Sequence, residues 1–174
     1  MRIKVSLIAA LALTGSFTAL LFAQQTREQA IHGLRQVQPS EMDPSYTKPA
    51  PFAQMLVDQA LSKHAEVLLL AIHAQPKGHP NVIVASNFGR IGKIGDADDM
   101  RCIRTGKPNL EVNGPHFEDQ LVLKDEAGVT IGAIGVVFNY GPGSDKAQLI
   151  RIAEQIEREM RQQLPTAARL FGPA

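Results

Sequence analysis

The chain has 174 residues, with 18 Lys and Arg against 17 Asp and Glu, for a net charge of +1. This balance leaves no basic or acidic excess to attract nucleic acid or an anionic membrane surface. A lone cysteine, Cys102, excludes an internal disulfide, a CxxC redox pair and a CxxCH haem attachment. Tryptophan is absent, which argues against an aromatic stacking surface for bases or sugars.

The N-terminus reads Met-Arg-Ile-Lys, followed by an uncharged run over residues 5–23. A basic start, an apolar run and a small residue at Ala23 fit a secretory signal cleaved before Gln24. The run also reaches the roughly 18 residues that an uncleaved anchor needs, although Thr14, Gly15, Ser16 and Thr18 weaken a spanning helix. Both readings place the folded part outside the cytoplasm, periplasmic or secreted, with membrane attachment only if residues 1–23 are retained. Without them about 150 residues remain, a single-domain length. Losing Arg2 and Lys4 also turns the balance to one net negative charge.

Residues 26–37 read as a short helix, with Thr26 and Gln29 at capping-box spacing and Ala30, Ile31, Leu34 and Val37 on one face. Pro39, Pro44, Pro49 and Pro51 make residues 38–51 a linker or a strap over the surface. A helix is expected from Pro51 to about His64, with Phe52, Met55, Leu56 and Ala60 at helical spacing. Residues 67–74 and 81–86 are apolar and β-branched around a Gln-Pro-Lys-Gly-His-Pro turn, which predicts a hairpin. Residues 87–95 continue that strand or form an ordered loop. Asp96 caps a short helix through Arg104, closed by Gly106. A short strand is expected over 110–112.

Residues 117–140 form the strongest pattern. In the first half, Phe117, Leu121 and Leu123 share one face and Glu118, Gln120 and Lys124 the other, a strand with one wet side. A turn ending at Gly128 leads into an almost wholly apolar run, a central strand covered on both faces. Gly132 and Gly135 within it mark close approach of a backbone or a ligand. The last helix spans about 145–164, with a stripe of Leu149, Ile152, Ala153, Ile156, Met160 and Leu164, and Pro165 stops it. Residues 166–174 read as a tail.

Antiparallel hairpins with helices gathered on one side make an α+β chain. The expected sheet has about five strands, with N-terminal, short middle and C-terminal helices. The helix before Glu66, the 67–86 hairpin and the segment Asp125-Glu-Ala-Gly-Val-Thr-Ile-Gly-Ala-Ile-Gly-Val carry a resemblance to the PAS-like superfamily over residues 51–165, and in particular to extracytoplasmic Cache-type sensor domains. Cache sensors usually continue through a second membrane helix into a signalling domain, whereas this sequence stops at Ala174. The resemblance therefore implies a sensor or carrier that acts non-covalently through a separate protein partner or a homodimer. It also implies a ligand between the sheet and residues 86–104. Within that region Asn87, Arg90, Arg101 and Arg104 offer donors for an organic acid or a phosphate. Arg101 and Arg104 read more simply as the solvated face of a short helix.

His73 interrupts an apolar strand, and its ring suits a ligand oxygen, a metal or a satisfied strand end. His116 is a candidate neighbour across the sheet, while His64 and His79 are expected on the surface. The 125–136 segment also resembles small secreted haem-binding and haem-degrading domains, in which His73 or His116 would be the axial ligand. A third reading is an interaction module that pairs through its C-terminal helix.

The acids Asp96, Asp98 and Asp99 lack the further ligands, Gly and terminal Glu of an EF-hand and read as helix capping. Gly89-x-x-Gly92-x-x-Gly95 lacks the Gly-Lys-Ser/Thr ending of a phosphate loop. Gly-x-Ser-x-Gly and His-Glu-x-x-His motifs are absent, so no catalytic set and no cofactor can be assigned from sequence.

Overall fold

The computed structural model describes residue 24 and residues 26–174. The signal or anchor expected over residues 1–23 lies outside the described residues. The first helix, α1, covers residues 26–32, shorter than expected because the chain turns at Gly33. After a 3-10 turn at Pro39–Glu41 come α2 (Pro51–Lys63), β1 (Val67–Ala74), β2 (Val82–Ser86) and α3 (Ala97–Thr105). They are followed by β3 (Asn109–Asn113), β4 (His116–Lys124), β5 (Thr130–Asn139), α4 (Lys146–Arg161) and a short α5 (Ala167–Leu170).

The five strands form one sheet in the order β2-β1-β5-β4-β3, with every neighbouring pair antiparallel. The α+β class and the antiparallel sheet of about five strands expected from the sequence are therefore present. β5 lies at the centre, and its apolar run is buried on both faces. Gly132 sits where a side chain would run into the His73 carbonyl of β1, so its bare backbone permits that pairing.

One face of the sheet carries α2, α4 and α5 over the main core. Phe52, Leu56, Leu70, Ile72, Phe117, Leu123, Ile134, Phe138, Ile156, Met160 and Leu164 meet there. The α4 stripe is consumed in this core, which leaves Arg151, Glu154, Gln155 and Arg158 outward. An intermolecular pairing of that stripe, the basis of the interaction-module reading, would have to unpack it. The chain end also joins the core. Leu170 is fully buried, the Arg169 guanidinium lies 3.7 Å from the Phe52 ring centroid, and Phe52 N–H donates to the Gly172 carbonyl.

The helices are not gathered on one side. α3 packs on the opposite face, where Cys102 and Ile103 meet Val122 and Ala133. The wet side expected for β4 is thereby covered in part, and Gln120 and Val122 are buried. Local periodicity identifies an amphipathic helix but not which face of a sheet receives it.

The rest of that second face is bordered by the N-terminal segment. The Arg27 guanidinium donates to the carbonyls of Leu61, His64 and Val67 at 2.8–2.9 Å, which fixes α1 to the α2–β1 junction. The strap after it is stitched to the loop following β2, through Asp43 N–H to the Gly92 carbonyl and Ile94 N–H to the Glu41 carbonyl. The loop in turn bridges β2 at Val82, so residues 87–95 form an ordered loop rather than a strand extension.

Candidate functional site

Between α1, the loop after β2, the N-terminal turn of α3 and the exposed part of the second sheet face lies a cleft of about 540 Å³. Its floor is formed by Leu69 and His73 of β1, Ile83 of β2, Val137 of β5, and Glu118 and Gln120 of β4. Strand pairing explains this grouping. Glu118 faces Val137, Gln120 faces Gly135 and His73 faces Ala133, so side chains distant in sequence emerge on one surface. Gly135 matters here. A Cβ at that position would come within 3.1 Å of Glu118 Oε1, so the missing side chain leaves the carboxylate its place over β5.

The acids of α3 form one wall. Asp96 caps the helix by accepting from the N–H groups of Asp98 and Asp99, and Asp99 Oδ2 accepts from Asp96 N–H at 2.9 Å. The capping role read from the sequence is present, but Asp99 also points into the cleft. Its Oδ1 accepts from the Gln120 amide nitrogen, and its Oδ2 lies 3.3 Å from His73 Nδ1. That approach lacks hydrogen-bond geometry, so His73 Nδ1 has no hydrogen-bond partner. Because the amide nitrogen of Gln120 must face the Asp99 acceptor, the Gln120 carbonyl oxygen is left without a donor, and it is buried.

Burial and like charge shift these groups. Burial, with the neighbouring Asp96 charge, pushes Asp99 up to about 6. Glu118 is pushed up to about 7 by burial first, then by Asp99 and by Glu111, which faces it across the β3–β4 pair. His73 is lowered to about 4 by burial and by Lys93, so its ring is neutral near pH 7. Lys93 supplies the nearby positive charge, 3.5 Å from Asp96 Oδ2.

Of the residues singled out in the sequence, His73, Arg90 and His116 all line this cleft. His73 and His116 are not cross-strand neighbours, however. The row of His73 continues through Ala133 to Val122, while His116 pairs with Asn139 at the start of β4. Arg90 adopts a positive φ of 61°, lies over the Phe88 ring and donates to the Arg35 carbonyl. Asn87, Arg101 and Arg104 lie elsewhere. Asn87 bonds both the Leu70 N–H and the Leu68 carbonyl at 2.9 Å, which ties the end of β2 to β1. Arg101 bonds Asp98 and Asn109 on the surface, and Arg104 is exposed in the last turn of α3. His64, expected on the surface, is buried with its ring 3.5 Å from Glu159 and 3.6 Å from Glu66. Cys102 is buried, and its thiol is raised to about 11, away from reactivity.

Glu118, Gln120, Lys93 and Asp99 were not read as site residues from the sequence. The available signal was polar residues at alternate positions of β4 facing away from Phe117 and Leu123. A solvated strand face carries the same signal, and only the placement of α3 separates the two.

No protein family model matches this chain, and no curated protein matches it. Solved structures give similarities at low identity. A protein described as a GAF sensor from Burkholderia vietnamiensis is 12% identical with a TM-score of 0.48, over 84% of this chain and 89% of that one. The nlh2 GAF domain of A. aeolicus is 14% identical with a TM-score of 0.44, over 90% of this chain and 96% of that one. A further structure of a GAF domain is 10% identical with a TM-score of 0.47, over 86% of this chain and 89% of that one. At such identities and TM-scores neither ligand nor role transfers from these proteins to this one.

Proposed function

We propose that the protein is a PAS-like, Cache-type ligand-binding domain that holds a small polar molecule reversibly in this cleft. In this reading it reports or carries the ligand outside the cytoplasm, through a separate partner. The observation that carries the reading is the pair of buried, unpartnered polar atoms, His73 Nδ1 and Gln120 Oε1, on residues that line a 540 Å³ cleft. A buried polar atom without a partner costs about 1–3 kcal/mol, and a ligand that satisfies both removes that cost. Among the described residues the cleft lining contains no hydroxyl or thiol nucleophile, which favours holding a molecule over covalent chemistry. The extracytoplasmic part of the reading rests on the signal-like residues 1–23.

A haem would require His73 or His116 to reach an iron atom. His73 is buried beside Asp99, its Nδ1 3.3 Å from the carboxylate, so the polar-ligand reading is preferred.

Thermal unfolding against fractionated polar metabolites tests the binding claim. A ligand at a hundred times its Kd stabilises the folded state by about 2.7 kcal/mol. Val137→Trp, at a half-buried floor position, fills the cleft and is expected to abolish the shift while preserving the fold. A fraction that stabilises both proteins equally would place binding elsewhere, and no shift with any fraction would reject the reading.

A further inference from the structure

The floor of the cleft is short of hydrogen-bond donors. Asp96, Asp99 and Glu118 bring three carboxyl groups to it, and Gln120 adds an amide oxygen that nothing donates to. Lys93 is the cation beside these acids, and it is engaged with Asp96. Of the two arginines lining the same cleft, Arg35 is held by Glu41 through two bonds of 2.8 Å, and Arg90 donates to the Arg35 carbonyl. Neither supplies the donors that Gln120 and Glu118 lack.

Resting on the reading of the cleft as a ligand site, we propose that its ligand is an organic cation, leading with a protonated amine or guanidinium group that donates to Glu118, Asp99 and the Gln120 carbonyl oxygen. A guanidinium or ammonium group offers several N–H donors and no acceptor, which matches a floor with surplus acceptors. Charge-assisted bonds of this kind are about twice as strong as neutral ones. The Gln120 oxygen is the discriminating element. A carboxylate ligand would meet an acceptor there and two acids beside it, whereas an N–H group completes all three. A metal ion fits less well, because among the described residues no three His, Cys, Asp or Glu groups converge as ligation requires.

The electrostatics add a second readout. The groups facing Glu118 are Asp99 and Asp96 from α3, Glu111 from β3 and Lys93 from the loop. The same cleft carries His73, Arg35, Arg90 and His116. Because the acids there are partly protonated near pH 6–7, a bound cation favours their charged forms and expels protons.

The test is isothermal titration calorimetry of the purified protein at pH 6.5 with matched probes. Agmatine, 1,4-diaminobutane and butylammonium form the cationic series; glutarate and butyrate form the acidic one. At least one cation is expected to bind ten-fold or more tightly than either carboxylate, with an enthalpy that changes with the buffer because protons are released. Glu118→Gln is expected to weaken that binding ten-fold or more and to reduce the proton release. Its unfolding temperature without ligand should hold or rise, since repulsion from Glu111 and Asp99 is removed. Tighter binding of carboxylates would overturn the cationic assignment. So would silence from both series alongside a metabolite fraction that still stabilises the wild type but not Val137→Trp; that result would leave the cleft a ligand site of another class.

Discussion

Truncating Phe117 to alanine is expected to lower the unfolding free energy by about 3–5 kcal/mol, the usual range for a buried Phe→Ala change. Phe117 is fully buried on β4 and pairs directly with Phe138 on β5, their rings stacked with centroids 6.3 Å apart. Tyr140 lies against the same ring at 5.9 Å, and the Lys146 ammonium sits 5.1 Å from its centroid at the start of α4. One side chain thus joins the two long strands to the C-terminal helix. Alanine would lose the transferred apolar area, the aromatic pair and the cation–π contact, and would leave a cavity between elements that cannot all collapse. Urea unfolding followed by circular dichroism reads the loss directly. A change below about 1 kcal/mol would mean that the α4 face is not the main core.

The second large effect runs through pH. Asp119, next along β4 from Glu118, points to the opposite face and is fully buried, with both carboxylate oxygens unpartnered. Burial, reinforced by Glu154 and Glu118 and opposed by Lys146, raises it to about 7. The folded protein therefore binds a proton that the unfolded chain releases near pH 4. Where the native state binds more protons, stability falls as pH rises. The cost of ionising Asp119 thus develops between about pH 4 and pH 7 and is fully present above that.

Asp119→Asn removes the titration. Relative to wild type, the variant is expected to gain on the order of 2–4 kcal/mol between pH 4 and pH 8, following the roughly three-unit shift. The buried amide will add an offset independent of pH, so the slope of the difference is the quantity to read. Glu118 and Asp99 are raised too and titrate with the same sign, but they remain in both proteins, so only the Glu118–Asp119 repulsion enters the difference. Parallel stability curves for the two proteins across this range would show that Asp119 is solvated.

Much of the fold was legible because its signals are local. Residues 67–74 are apolar except for His73 and form β1 over those same positions, and Asp96 with Gly106 marks both ends of α3. The Leu149–Leu164 stripe likewise buries Ala153, Ile156, Met160 and Leu164. What was not legible depends on three-dimensional choices. Nothing in the α3 sequence says which sheet face it covers, and that choice decides whether Glu118 and Gln120 meet water or a cleft. Leu170 stands in a short, Pro-flanked tail without periodicity, so its burial under α2 carries no sequence signature. For the site, His73, Arg90 and His116 stood out as polar residues in unusual settings. Asp99 was hidden by its own adequacy as a cap: the capping box explains its sequence position, while its other oxygen serves the cleft. Glu118 became distinctive only when register set Glu111 opposite it and Gly135 beside it.

Native mass spectrometry of the protein purified from its own host, without refolding, tests the ligand-site claim most directly. A co-purifying small molecule is expected on the wild type and absent from Val137→Trp prepared in the same way. The same small molecule retained on the cleft-filled variant, or a wild type that stays bare when metabolites are added back, would contradict it.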